Sequence, residues 1–365
     1  MIDQDYMRRA IELAKKGEGF TNPNPMVGAV IVKEGQIIGE GYHARCGDLH
    51  AERSAFASLQ ESAQGATIYV TLEPCCHYGK QPPCTQAILD HGITRVVIGS
   101  RDPNPLVAGK GAKMLREAGV VVEEDFLRDE CDKLNPIFFH YITKKHPYVV
   151  MKYAMTADGK IATRTGASKW ITGEVARDKV QDMRHRYMAI MAGIGTVLAD
   201  DPLLTVRKEG KKSPIRVICD SHLRIPEESQ IVKTAKKYPT IIAYAEGSPE
   251  KVELLTEQGL ILEQVPLKDE SINLEILMKR LGERGIDSVL VEGGGTLNES
   301  LMQAGLVQRM EVFVAPKIFG GSEAKTPIEG IGIAEVADAM TFHLEQVNII
   351  GDDVLLSYVK SSEQF

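Results

Sequence analysis

His50, Glu52, Cys75 and Cys84 are the residues of this chain whose types and spacing can do chemistry together. One imidazole and two thiolates hold a zinc ion and leave its fourth coordination position open to water, which separates a catalytic site from a closed structural one. Zinc lowers the pKa of bound water from roughly 15.7 to about 7. A nearby carboxylate then has only to carry protons, and Glu52, two positions after His50, shares its helical turn without being forced to ligate. Cys76 competes with Cys75 by adjacency, but neighbouring side chains point in different directions and only one faces an ion. His77 reads as a loop or substrate-facing residue. Lys80 has two readings, meeting a substrate phosphate or lying as a solvated loop charge. Asn24 also has two: it bonds a substrate hydroxyl or base edge, or it is a turn residue preset by Pro23 and Pro25.

The elements that must position these residues alternate between helix and strand. Met7, Ala10, Ile11 and Ala14 follow the helical period after Asp3, read as an N-cap. Residues 27–33 and 36–42 read as an antiparallel hairpin around Glu34-Gly35. A helix over 49–59 carries His50 and Glu52 in its first turn, a strand over 66–72 ends at Glu73-Pro74, and Cys84 opens a helix to His91. Backbone N–H groups at that helix start favour a thiolate. Strand 95–99, helix 111–118, strand 120–123 and one long helix over 127–141 complete a three-layer α/β/α unit.

Lys144-Lys145-His146-Pro147 marks a boundary, giving expected domains of 1–146 and 147–365. Beyond it the alternation resumes: strands over 148–154, 189–193, 215–219, 240–243 and 288–291, and helices over 173–186, 195–199, 249–258, 274–283 and 297–304. Strands over 310–315, 343–350 and 354–359 close the sheet. Glu292-Gly293-Gly294-Gly295-Thr296 lies at a strand-to-helix junction, where glycines let a phosphate approach backbone N–H groups. It is not a Rossmann fingerprint, since G-x-G-x-x-G is absent.

At 365 residues the chain is long for one core. Its net charge of -7 and 6% aromatic content argue against nucleic-acid binding. No stretch reaches eighteen consecutive apolar residues and no basic-then-apolar leader opens the sequence, so a cytoplasmic location and no membrane partner are expected. The six cysteines read as reduced thiols and metal ligands, with Cys46, Cys131 and Cys219 as small core residues.

His50-Ala51-Glu52 is the H-x-E part of the zinc deaminase pattern, in which the carboxylate is acid and base and not a ligand. The second part departs from the usual P-C-x-x-C, because Cys75 and Cys84 are nine positions apart. That insert, with Asn22-Pro23-Asn24-Pro25-Met26-Val27-Gly28 and Arg101-Asp102-Pro103-Asn104-Pro105, resembles the bifunctional deaminase/reductase family of riboflavin biosynthesis. The resemblance runs on through Met151-Lys152, residues 158–162, Trp170-Ile171-Thr172, Asp200-Asp201-Pro202 and Glu292-Gly293-Gly294. It implies an α/β chain with a cytidine-deaminase-like first domain and a dihydrofolate-reductase-like second domain.

The resemblance further implies that a diaminopyrimidinone with a phosphoribosylamino arm loses its 2-amino group, with His50, Cys75 and Cys84 on Zn2+ and Glu52 as proton carrier. NADPH then reduces the ribosyl arm to ribityl. Ala154, Trp170, Thr196, Asp200, Ser221 and the run Gly294, Gly295, Thr296, Leu297, Asn298, Glu299 and Ser300 match places where the family holds the cofactor. Ser168, Arg184, Leu204, Arg207 and Glu292 match places where it holds the substrate. Guanidinium groups suit a phosphate dianion; apart from the family each arginine reads as a solvated charge. Lys152 and Asp200 either polarise the sugar or form an ion pair, and Trp170 either meets the cofactor or fills the core. The family commonly assembles as homo-oligomers, dimers or tetramers, through its reductase halves.

Overall fold

The computed structural model describes residues 2–78, 82–104 and 107–361. The chain divides into two compact units, one up to Lys145 and one from His146 onward.

The first unit runs α1 (Asp3–Lys15), β1 (Gly28–Lys33), β2 (Gln36–Tyr42), α2 (Ala51–Ala57), β3 (Thr67–Leu72), α3 (Cys84–Asp90), β4 (Arg95–Ser100), α4 (Lys110–Glu117), β5 (Val121–Glu123), α5 (Arg128–Asp132) and α6 (Pro136–Lys144). Its sheet has the order β2-β1-β3-β4-β5, with β1 antiparallel to both neighbours and β3, β4 and β5 parallel. Because successive side chains in a strand face opposite ways, β1 sorts its residues between two layers. Ala29 and Ile31 pack with Ala55 of α2, Ile88 of α3 and Leu115 of α4. Val30 and Val32 pack with Met7 and Ala10 of α1 and Cys131 of α5. Glycines set how near the helices come: a Cβ on Gly28 would stand 2.0 Å from the Ala10 carbonyl oxygen, and one on Gly41 would stand 2.2 Å from the Ala55 nitrogen.

The long helix expected over 127–141 is two. Pro136 has no N–H to continue a helix and instead starts α6. The Asn135 amide in the break bonds both the Met26 N–H and the Met26 carbonyl, at 2.8 and 2.9 Å. The first helix starts at Asp3 itself, with Ile2 in the cap position and the Asp5 carboxylate accepting the Ile2 N–H.

The second unit runs β6 (Tyr148–Thr156), α7 (Glu174–Arg186), β7 (Ala189–Gly193), α8 (Ile194–Asp200), β8 (Ile215–Cys219), α9 (Gln230–Lys233), β9 (Thr240–Tyr244), α10 (Pro249–Glu257), β10 (Ile261–Gln264), β11 (Leu267–Lys268), β12 (Ser271–Ile272), α11 (Leu274–Glu283), β13 (Ser288–Val291), α12 (Gly295–Gln303), β14 (Arg309–Ala315), β15 (Phe342–Ile350) and β16 (Asp353–Lys360). Its large sheet has the order β10-β9-β8-β7-β13-β6-β14-β16-β15. The strands from β10 to β14 are parallel, and β16 and β15 add an antiparallel hairpin. Met191 and Val217 face α11 and α12, whereas Ile190 and Ile218 face α8, α9 and α10. Both faces of a parallel sheet are thus covered.

Arg216 on β8 is fully buried. Its donors reach Thr240 Oγ1, Thr234 Oγ1 and the carbonyls of Leu203, Ile231 and Tyr238, at 2.8–3.2 Å. Burial pulls its pKa down to about 10. At the sheet edge β15 turns Leu344, Val347 and Ile349 outward.

Candidate functional site

His50 immediately precedes α2 and Glu52 lies in its first turn. Cys75 follows β3, and Cys84 is the first residue of α3, set there by Pro83 in the cap position. The His50 Nδ1 atom lies 3.6 Å from Cys75 Sγ and 3.4 Å from Cys84 Sγ, and all three ligand atoms fall within 4.8 Å of one another. Tetrahedral zinc with Zn–S of about 2.3 Å and Zn–N of about 2.05 Å has an N···S edge of about 3.6 Å. The geometry and the soft nitrogen and sulfur donor set therefore fit the metal. Cys76 stands outside this group.

Interaction with Cys84, then His50, holds Cys75 down to about 4, while Cys84 is pushed up by its hydrogen bond to Cys75 and by burial. The Cys84 N–H at the start of α3 donates to Cys75 Sγ at 3.4 Å. The helix start that was expected to favour a thiolate on Cys84 thus favours one on Cys75. Glu52 is 4% exposed, and burial raises its pKa. A carboxyl held ready to keep a proton suits a group that both takes and returns one.

His50 stacks edge-on against His43, with ring centroids 5.6 Å apart. His43 Nδ1 meets the Leu49 carbonyl at 2.9 Å, so it donates there, and Nε2 accepts from the Asn24 amide at 3.2 Å. Asn24 thereby lines the cavity in front of the ligands while bonded at its back. This cavity, about 350 Å³, also takes in Cys46, His77, Asp102, Asn104 and Phe138. Cys131 and Cys219 are buried as expected, but Cys46 is exposed, in the loop that borders the site. Sequence reasoning missed His43 and Asp102 as site residues. Asp102 is 8% exposed, its carboxylate accepts the Asn104 N–H at 2.8 Å, and burial lifts it to about 6. A carboxylate just past a strand end and followed by proline was the available signal. Glu73 accepts the N–H groups of Gly109, Gly111 and Ala112, pinning the start of α4 beside the ligand loop. Lys80 lies outside the described residues.

In the second unit a cavity of about 710 Å³ runs along the carboxyl ends of β6, β13, β7 and β8, where ligands of open α/β sheets bind. Among the expected residues, Lys152, Ala154, Ser168, Thr196, Asp200, Ser221, Glu292, Gly294, Gly295, Thr296, Leu297 and Ser300 line it. Helix α12 begins at Gly295, two residues before its expected start, so the glycines belong to the helix N-terminus.

Six expected residues do not line the cavity. The Arg184 side chain is only 12% exposed, which overturns its reading as a solvated charge, and it grips Glu292 through Nε and Nη2 at 2.7 and 2.9 Å. Leu204 packs in the core, and Arg207 is exposed. Asn298 is fully buried with its amide on the Pro327 carbonyl at 2.8 Å, and Glu299 accepts from Gln303. Trp170 is 60% exposed with the Arg177 guanidinium 4.8 Å from its ring centre, so it is not a core residue. Lys152 Nζ lies 3.8 Å from Glu292, and Asp200 pairs instead with Lys169 at 3.6 Å. Burial lowers the Lys152 pKa. Burial opposes the charge on Glu292 as well, yet Arg184 and Lys152 hold it at about 2. Sequence reasoning passed over His222 and Arg224, which also line this cavity.

A family model of the cytidine and deoxycytidylate deaminase zinc-binding region matches residues 1–100, and one of the RibD C-terminal domain matches residues 147–356. The riboflavin biosynthesis protein RibD of Actinobacillus pleuropneumoniae is 54% identical over 98% of this chain and 96% of its own length. That of Escherichia coli is 40% identical over 98% of this chain and 100% of its own. Acinetobacter baumannii RibD superposes with a TM-score of 0.89 at 38% identity, covering 99% of each chain. The Thermotoga maritima diaminohydroxyphosphoribosylaminopyrimidine deaminase/5-amino-6-(5-phosphoribosylamino)uracil reductase gives 0.87 at 40% identity, covering 98% of each chain. With a metal-ligand cluster beside a buried carboxylate in one unit and a strand-end cavity in the other, the chain belongs to the RibD family of bifunctional deaminase/reductases of riboflavin biosynthesis.

Proposed function

We propose that residues 1–146 form a zinc-dependent deaminase domain and residues 147–365 an NADPH-dependent reductase domain that work in sequence on one small molecule. The substrate is 2,5-diamino-6-(5-phosphoribosylamino)pyrimidin-4-one, and the product is 5-amino-6-(5-phosphoribitylamino)uracil. His50, Cys75 and Cys84 hold the metal, and the residues lining the second cavity hold NADPH and the ribosyl arm. When bound, zinc supplies an acidified water, and NADPH supplies a hydride. Glu52 takes a proton from the attacking water and returns one to the departing amine, so that ammonia leaves as oxygen replaces nitrogen on the ring. Asn24, with its amide fixed by His43, orients the pyrimidine edge, and Lys80 meets the sugar phosphate. In the second cavity Lys152, held by Glu292, offers a proton to the opened sugar, while Ser168 positions the arm. Arg184 acts by fixing Glu292.

The observation that carries the reading is the convergence of His50, Cys75 and Cys84 beside the buried Glu52. Glu52→Gln should keep its zinc, lose ammonia release by about 100-fold or more, and still oxidise NADPH when given the deaminated intermediate. Retained ammonia release would overturn the assignment.

Exposed apolar side chains on β15 support a homo-oligomer, dimer or tetramer, built through the second unit; a monomer by light scattering would refute it. No helix among the described residues is long and apolar enough to cross a membrane. The free cysteines suit a cytoplasmic setting, and the charge of -7 disfavours nucleic acid as a partner.

A further inference from the structure

Three separate segments supply the metal ligands: His50 from the residue before α2, Cys75 from the loop after β3, and Cys84 from the start of α3. The two sulfur-bearing segments are tied to each other by main chain. The Cys84 N–H donates to Cys75 Sγ at 3.4 Å, and the Thr85 N–H donates to the Cys75 carbonyl at 3.2 Å. Among the described residues no main-chain hydrogen bond joins either of these segments to α2, which delivers His50 and Glu52.

A side chain makes that join. Arg53 follows Glu52 on α2 and is half-buried. Its Nε and Nη2 donate to the carbonyls of Pro82 and Pro83 at 3.1 and 3.2 Å. These two residues immediately precede Cys84. A proline has no N–H, so the pair can be hydrogen-bonded only through its carbonyls. The planar fork of a guanidinium meets two successive acceptors at once, which a point donor does not. The Pro83 carbonyl also accepts the Ala87 N–H at 3.4 Å in the first turn of α3, so Arg53 grips that helix at its cap residue. Deeper in the unit, Ala55 and Phe56 of α2 share an apolar cluster with Ala87 and Ile88 of α3. Packing thus fixes the two helices against each other in the core, and Arg53 fixes them at the end where the ligands stand.

We propose that Arg53 is a positioning residue for the zinc site: it holds the Cys84 segment to α2, so that His50, the two sulfurs and Glu52 are already in place when the metal binds. This inference rests on the reading of His50, Cys75 and Cys84 as the zinc ligands. A Cys84 segment left to drift must be ordered as zinc binds, and that entropic cost is subtracted from the affinity. Removing a group that only orients ligands typically weakens metal binding by about tenfold to a hundredfold.

The test measures the zinc dissociation constant of the full-length protein by competition with a chromogenic chelator, alongside the melting of the metal-free protein. Arg53→Ala should weaken zinc binding by about tenfold to a hundredfold, and Arg53→Lys, which keeps the charge but loses the fork, should recover only part of that loss. A tie that merely stabilises the fold lowers the metal-free melting temperature and leaves the zinc constant alone. Zinc affinity equal to wild type in Arg53→Ala, whatever its melting temperature, would therefore overturn the inference. Should Arg53→Ala fail to fold, Arg53→Lys carries the comparison: a folded variant with weakened zinc binding supports the grip on two carbonyls, and one with wild-type affinity overturns it. A wild-type protein that binds no zinc would overturn the ligand reading and the inference with it.

Discussion

Glu292 is the residue on which the second site's charges balance: its carboxylate faces Arg184 at 2.7 Å and Lys152 at 3.8 Å, all three largely out of water. Glu292→Gln would leave a buried guanidinium without its counter-charge, so a loss of about 3–5 kcal/mol at neutral pH is expected in urea unfolding of the second unit. A loss under about 1 kcal/mol would mean that the ion pair is not sustained. The sign of the acid response follows from the same contact. The folded-state value of about 2 lies below the roughly 4.3 of an exposed glutamate, so the carboxylate contributes stability that is complete above about pH 5 and disappears as pH falls toward 2. The variant should lack that part of the acid sensitivity. The candidate ligand set was legible in the sequence because ligation restricts residue type, and the structure brings His50, Cys75 and Cys84 within 4.8 Å of one another, with Glu52 in the adjoining helical turn. Arg184 was not legible, because whether an arginine is solvated or buried depends on what the fold lays over it. His43 was hidden for a related reason: its part is to fix its neighbours, and no spacing rule ties it to Asn24.

At the level of elements, α2 delivers both His50 and Glu52, and its distance from the sheet is set by Gly41, whose missing side chain admits the Ala51 carbonyl and Ala55 nitrogen. Gly41→Ala should force α2 outward, lower stability by about 1–3 kcal/mol, and reduce the zinc retained after gel filtration. Zinc content equal to wild type with an unchanged unfolding midpoint would show that α2 has slack. The strand and helix order was readable because β1, β3 and β4 are short runs rich in Val and Ile, and apolar residues recur at helical spacing in α1. The single helix expected over 127–141 failed at Pro136, whose effect on its own N–H outweighs the apolar pattern on either side. The short α9, β10, β11 and β12 went unread, since segments of two to four residues carry too few buried positions to show a period.

For the whole molecule, each cavity is lined by residues of one unit alone. Removing zinc with a chelator should therefore abolish ammonia release, leave NADPH oxidation of the deaminated intermediate within about twofold, and lower the melting temperature of the first unit's transition, because a ligand that binds only the native state stabilises it. Parallel loss of both activities would sink that independence. Acid should also divide the second unit internally. The Lys152 end of the cavity is held by the Glu292 carboxylate, whereas the start of β8 is tied together by Arg216, whose acceptors are hydroxyls and main-chain carbonyls. No proton added between about pH 9 and pH 3 changes any member of that knot. Falling pH would consequently discharge the Glu292 cluster only as it nears 2, with the hydroxyls and main-chain carbonyls around Arg216 unaltered at that point.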